Sequence, residues 1–168
     1  MARTSYIPPG YHNITPSLTF KGTESAMVWY KNVFGAQEKM RIDGPDKKIM
    51  HAELNLGDSM IFLAEENPEY MNQTPRSTNG NSIKLHVYVE DVDGVLKKAV
   101  QNGATLVMPA EDQFYGDRCG SIEDPFGYTW VLSTHIKDVS VEEMNEKVEE
   151  MTNSEKIHPA KAEETMVH

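Results

Sequence analysis

A duplicated order of strand and helix constrains this chain more than any other feature of its sequence. One amphipathic helical run ends in Gly35-Ala36 and a second in Gly103-Ala104, and a hairpin glycine follows each, Gly57 after 22 residues and Gly127 after 24. In the first copy, residues 14–20 alternate as a strand, with Ile14 and Leu18 on one face and Thr15, Ser17 and Thr19 on the other. Thr23 can cap the helix that follows, Ala26, Met27, Tyr30, Val33 and Phe34 share its buried side, and Gly35 ends it. Strands are predicted at 37–43, 49–56 and 60–64, the last two joined by the turn Leu56-Gly57-Asp58-Ser59. After a polar loop the order recurs: a strand at 82–89, a helix capped by Asp91 or Asp93 that buries Val92, Val95, Leu96, Ala99 and Val100, and strands at about 104–108, 117–123 and 128–134. Two βαβββ modules offset by about 68 residues account for this pattern.

The chain therefore divides into an extended lead-in at 1–13, a first module at 14–65, a linker loop at 66–82, a second module at 83–135 and a C-terminal segment at 136–168. That last segment opens on a capping box, Ser140 to Glu143, and carries an apolar stripe of Val141, Met144, Val148 and Met151. It predicts a short helix that docks on the body or on a second subunit, followed after Thr152 by a disordered acidic tail.

Length and charge narrow the possible functions. At 168 residues the chain can form one well-buried domain or two small modules that share a core. The net charge of -10, of which -5 falls in residues 136–168, argues against nucleic acid and anionic membrane as partners. A single cysteine, Cys119, excludes an intramolecular disulfide and a cysteine-rich zinc site, which fits a reducing, cytoplasmic home. No apolar run approaches the roughly 20 residues that span a bilayer, and the first residues lack the apolar core of a signal peptide.

With the repeat and the run Asp124 to Trp130 in hand, the sequence resembles the vicinal oxygen chelate superfamily: glyoxalase I, bleomycin-resistance proteins, fosfomycin-resistance enzymes and extradiol dioxygenases. It is most similar to the PhnB-like branch through Trp29-Tyr30, Val33 to Ala36, His51 to Leu54, Gly57 to Ser59, Val89 to Asp93, Tyr115 to Arg118 and Thr134-His135. The resemblance implies an α+β fold in which two βαβββ modules form an open mixed-sheet barrel around a cavity, commonly in a homodimer. It does not by itself name a reaction.

Strand parity selects the side chains of that cavity. If the aliphatic faces pack on the helices, the opposite faces carry His51, Glu53 and Asn55, then Met60 and Phe62, then Lys84, His86 and Tyr88. His51, Glu53, Phe62, Lys84, His86 and Tyr88 are the candidate ligand-binding residues: the histidines for hydrogen bonds, Glu53 and Lys84 for charge preference, Phe62 and Tyr88 for stacking. The places that hold the superfamily's metal align with Thr15, Phe62, Lys84 and Val131, none a good ligand for a divalent ion. The leading expectation is small-molecule binding without that metal site or any cofactor. The alternative is a glyoxalase-type lyase or isomerase in which His51, Glu53 and His86 hold zinc, nickel or manganese and Glu53 acts as base. Elsewhere, Asp117 and Arg118 are expected to pair with each other, Asp124 to form a turn, Trp29 and Trp130 to sit in cores, Cys119 to be uncatalytic, and His12, His135, His158 and His168 to be solvated.

Overall fold

The protein's structure, a computed structural model, describes residues 5–157. The first module comprises β1 (Ser17–Phe20), α1 (Thr23–Phe34), β2 (Gln37–Asp43), β3 (Ile49–Leu56) and β4 (Ser59–Glu65). A loop containing a single 3-10 turn at Pro68–Tyr70 leads to the second: β5 (Lys84–Tyr88), α2 (Val92–Gln101), β6 (Thr105–Asp112), β7 (Asp117–Glu123) and β8 (Thr129–His135). The C-terminal helix α3 covers Val141–Ile157. Each module makes one four-stranded mixed sheet, ordered β1-β4-β3-β2 and β5-β8-β7-β6, with its first strand parallel to its last. Among the described residues no ladder joins the two sheets and no barrel closes.

The predicted parity governs what each sheet buries. Ala52, Leu54, Ile61 and Leu63 of the first sheet and Ile122, Trp130 and Leu132 of the second join α1 and α2 in one core. The modules share this core rather than owning one each. Phe34 of α1 packs on Trp130 with ring centroids 4.8 Å apart, and Phe20 packs on Tyr128 at 5.4 Å. Tyr128 also reaches back to β1, accepting from the Thr19 amide at 2.8 Å and donating to the Thr19 carbonyl at 3.0 Å. The Trp29 indole donates to the Asn102 carbonyl at the end of α2, at 2.8 Å. Both tryptophans are buried, as their apolar bulk predicts.

Asp124 does more than form a turn. Its Oδ1 accepts from the Phe126 and Tyr128 amides, both at 2.9 Å, which shapes the Asp-Pro-Phe-Gly turn. Its Oδ2 accepts from the Tyr30 hydroxyl at 2.6 Å and the Trp130 indole at 2.9 Å. A carboxylate buried to 1 % exposure thus clamps α1 of one module to the hairpin of the other. Burial raises its pKa against the pull of these four bonds.

Several local expectations are corrected. The first strand begins at Ser17, and Ile14 is exposed rather than packed beside Leu18. Thr23 is the first residue of α1, not its cap; the cap residue is Gly22, at φ 88°, and the end is closed by Glu65, which accepts from the amides of Gly22 and Thr23 at 2.9 Å each. Of the two aspartates offered for α2, Asp91 is the cap, accepting from the Gly94 amide at 3.0 Å. β6 extends to Asp112, past Pro109. The capping box at Ser140 and Glu143 forms reciprocally, at 2.9 and 3.2 Å. The helix it starts runs past Thr152 to Ile157, while Val141, Val148 and Met151 stay exposed and, among the described residues, α3 packs on no other helix or strand. The remainder of the expected tail, with His158 and His168, lies outside the described residues.

Candidate functional site

On β3, His51 and Glu53 project from the face opposite the core, and the register sets Phe62 of β4 directly beside Glu53. His51 Nε2 lies 3.1 Å from Glu53 Oε1, and its ring meets Phe62 edge-on at 4.9 Å. Glu53 is only 4 % exposed, and a buried carboxylate requires donors. The second donor is Tyr11, whose hydroxyl bonds to Glu53 Oε2. The lead-in delivers it: the Tyr11 amide donates to the Pro8 carbonyl at 3.2 Å, with Gly10 at φ 81° in the position where a type II turn favours glycine. The Tyr11 ring then lies 6.2 Å from Phe62, edge-on at an interplanar angle of 64°, and carries Lys39 Nζ at 3.5 Å from its centroid. Burial pushes the Glu53 carboxyl up, but the Tyr11 and His51 hydrogen bonds and the nearby Lys39 charge outweigh it and hold the pKa below the ordinary value. Over this group opens a recess of about 490 Å³ lined by residues 6–8 and 11–13 of the lead-in together with Thr15, Glu53 and Phe62.

A second constellation stands on the other sheet. His86 and Tyr88 alternate along β5 and stack at 5.1 Å. His86 Nε2 shares a 2.7 Å hydrogen bond with Ser133 Oγ, which lies 2.8 Å from the buried Cys119 thiol. The thiol in turn meets the Tyr115 hydroxyl, whose pKa is pushed up to about 12 by that hydrogen bond and by burial. The Tyr88 hydroxyl donates to Asp117 Oδ2 at 2.9 Å, Asp117 Oδ1 faces His135 Nδ1 at 2.8 Å, and His135 Nε2 faces Asp138 at 3.0 Å. The hydrogen bond from His135 lowers the Asp117 pKa, and the same bond, with Asp138 adding, raises that of His135. His86 and Tyr88 border a cleft of about 970 Å³ between the modules, walled on the far side by Met60, Ile61 and Phe34. His12 lines both this cleft and the recess over Glu53.

The candidate residues thus gather in two groups: His51, Glu53 and Phe62 in one, His86 and Tyr88 in the other. Lys84 is exposed at the start of β5, and its side chain has no hydrogen-bond or ion-pair partner among the described residues. His86 is turned to Ser133 and does not join His51 and Glu53, and no group of three or more His, Cys, Asp or Glu among the described residues could hold a metal ion. Thr15 and Phe62 line the first recess, and Val131 sits in register with His86. With Lys84 these four offer a hydroxyl, a phenyl, an isopropyl and an ammonium, a donor set that does not fit the superfamily's metal. Asp117 and Arg118 do not pair: Arg118 binds Asp93 at 2.7 and 2.8 Å and Asp112 at 2.8 Å. His135 is not free in solvent but held between two carboxylates. Tyr11 and His12 are functional candidates that strand parity did not reach; Ser133 and Asp117 enter through their bonds to His86, Tyr88 and His135. The turn signal of Pro8-Pro9-Gly10 points to Tyr11, and the Asp138 three residues after His135 points to that pair.

A family model described as the Glyoxalase/Bleomycin resistance protein/Dioxygenase superfamily matches residues 15–132. An uncharacterized protein of Mycobacterium bovis is 35% identical over 134 residues, covering 78% of this chain and 88% of its own. Among solved structures, protein PA1353 of Pseudomonas aeruginosa superposes with a TM-score of 0.61 at 23% identity, covering 75% of this chain and 99% of its own. The PhnB protein of Bacillus cereus does so at 0.58 and 21%, covering 73% and 99%. Spanning nearly all of both modules, the family match establishes that this chain belongs to the Glyoxalase/Bleomycin resistance protein/Dioxygenase superfamily.

Proposed function

We propose that the protein binds a small organic molecule in the cytoplasm, in the recess over Glu53 and the adjoining cleft between its modules, without the superfamily's metal. The observation that carries this reading is that His12 lines both spaces, so Glu53 and Phe62 in one and His86 and Tyr88 in the other border the same residue. Volumes of this size suit small molecules, and the lining is largely apolar with a few polar groups that orient a guest. His51 supports the recess by holding Glu53 and Phe62 in place. Exposed apolar side chains at the outer strands, Met40 and Ile42 on β2 and Leu106 and Met108 on β6, support a homodimer. The alternative, a metal-assisted lyase or isomerase with Glu53 as base, is favoured only by the His51–Glu53 pair. The test is a small-molecule screen by thermal shift, run with EDTA and again with zinc, nickel or manganese. Binding that survives chelation and is lost in Phe62→Ala and Tyr88→Ala is the expected result. Binding or turnover that requires added metal and disappears in His51→Ala would replace this reading with the enzymatic one.

A further inference from the structure

Of the described side chains that line the recess over Glu53, Glu53 is the one acid and none is a lysine or arginine; the remainder are aromatic, apolar or polar, His12 among them. The carboxylate sits beside two aromatic rings that meet edge-on at 64°, Tyr11 and Phe62. Aromatic faces attract cations through their quadrupole, and one ammonium already uses this wall: Lys39 Nζ lies over the Tyr11 ring, without itself lining the recess. An anion entering the recess would meet Glu53 with no lysine or arginine among the described lining residues to offset it. A neutral guest would leave the carboxylate with only the partners the chain supplies, the Tyr11 hydroxyl and His51.

We propose that this recess selects an organic ammonium, a primary to quaternary amine carried on a small apolar body, with Glu53 as counter-ion and Tyr11 and Phe62 as the faces that pack on it. The assignment rests on the small-molecule reading above and names its ligand class. The lead-in is then part of the site, because the Pro8-Pro9-Gly10 turn sets both the hydroxyl on Glu53 and one ring of the wall. Lys39, which does not line the recess, opposes the guest through its charge and so tunes affinity without touching the ligand.

Three probes of one shape and different charge test this: phenethylammonium, 2-phenylethanol and 3-phenylpropionate, titrated into the full chain and followed by calorimetry and by NMR of the Tyr11 and Phe62 ring signals. The ammonium should bind at least roughly tenfold more tightly than the alcohol, and the carboxylate should not bind. Glu53→Gln, which keeps an acceptor for Tyr11, should bring the ammonium to within about twofold of the alcohol, and Lys39→Met should tighten the ammonium severalfold while leaving the alcohol unchanged. Equal binding of ammonium and alcohol at those ring signals, or a preference for the carboxylate, overturns the charge assignment and leaves small-molecule binding standing. No response of those signals to any probe overturns the recess as a site and confines the functional reading to the cleft beside His86 and Tyr88.

Discussion

Replacing Asp124 by Asn should weaken the whole fold, although it exchanges one oxygen for an NH2 group. The turn amides of Phe126 and Tyr128 fix the carbonyl oxygen of the new side chain at the Oδ1 position, so its NH2 group faces Tyr30 and Trp130. The tyrosine hydroxyl can rotate and accept; the indole nitrogen can only donate. One buried donor is therefore orphaned, at a cost of about 1–3 kcal/mol. Exchanging charge-assisted bonds for neutral ones adds roughly 1 kcal/mol. A total of roughly 2–4 kcal/mol corresponds to a fall in Tm of about 5–15 °C for a chain of this size. Urea unfolding followed by tryptophan fluorescence, with calorimetry alongside, measures it. Asp124→Ala, which abandons all four donors, should lose more, and Tyr30→Phe less. If Asp124→Asn stays within about 0.5 kcal/mol of the parent, Asp124 is not the clamp between the modules and the reasoning fails.

Two further perturbations address the second sheet and its exit. His135 should titrate above its ordinary value of about 6.5, because Asp117 and then Asp138 favour its charged form; the stability this brings is present below that value and is lost as pH rises through the raised one. Asp117 has the opposite sign: its depressed pKa brings stability above the ordinary carboxyl range that is lost as pH falls. NMR titration of His135 should therefore show a midpoint that drops back toward about 6.5 in Asp117→Asn, and an unmoved midpoint would refute the pairing. Gly116→Ala puts a Cβ 1.9 Å from the Lys137 carbonyl oxygen at φ +96°, so it should cost more than about 2 kcal/mol. It should also speed hydrogen exchange at the Ile136 and Lys137 amides, which donate to the Gly116 carbonyl at 2.9 and 3.0 Å; unchanged protection there would contradict this account.

What the sequence makes legible here is whatever repeats at the period of a strand or a helix. The alternation of β3 and β4 fixes which side of the sheet His51, Glu53 and Phe62 occupy, and the structure has them there. Side chains that act from outside a regular element leave no such trace. Tyr11 lies in an extended segment whose only signal is a turn, and nothing local says that its hydroxyl ends on a carboxylate 42 positions away. Glu65 caps α1 from the end of β4 because β1 and β4 are parallel neighbours, so the helix start and the strand end meet in space but not in sequence. Arg118 faces away from Asp117 because adjacent residues on a strand point to opposite sides of the sheet; their proximity in sequence was the misleading cue. Asp124 reads as a turn former, and its larger duty depends on a tyrosine 94 positions earlier.

The aromatic cluster that unites the two halves also sets when this protein can become stable during synthesis. Phe20, Trp29, Tyr30 and Phe34 emerge early, yet the rings they pack against, Phe126, Tyr128 and Trp130, belong to the last hairpin. The amino-terminal half must leave the ribosome with its oily side uncovered and wait for that hairpin, which leaves the nascent polypeptide open to misassembly and makes a shuffled or halved gene a poor route to a folded product.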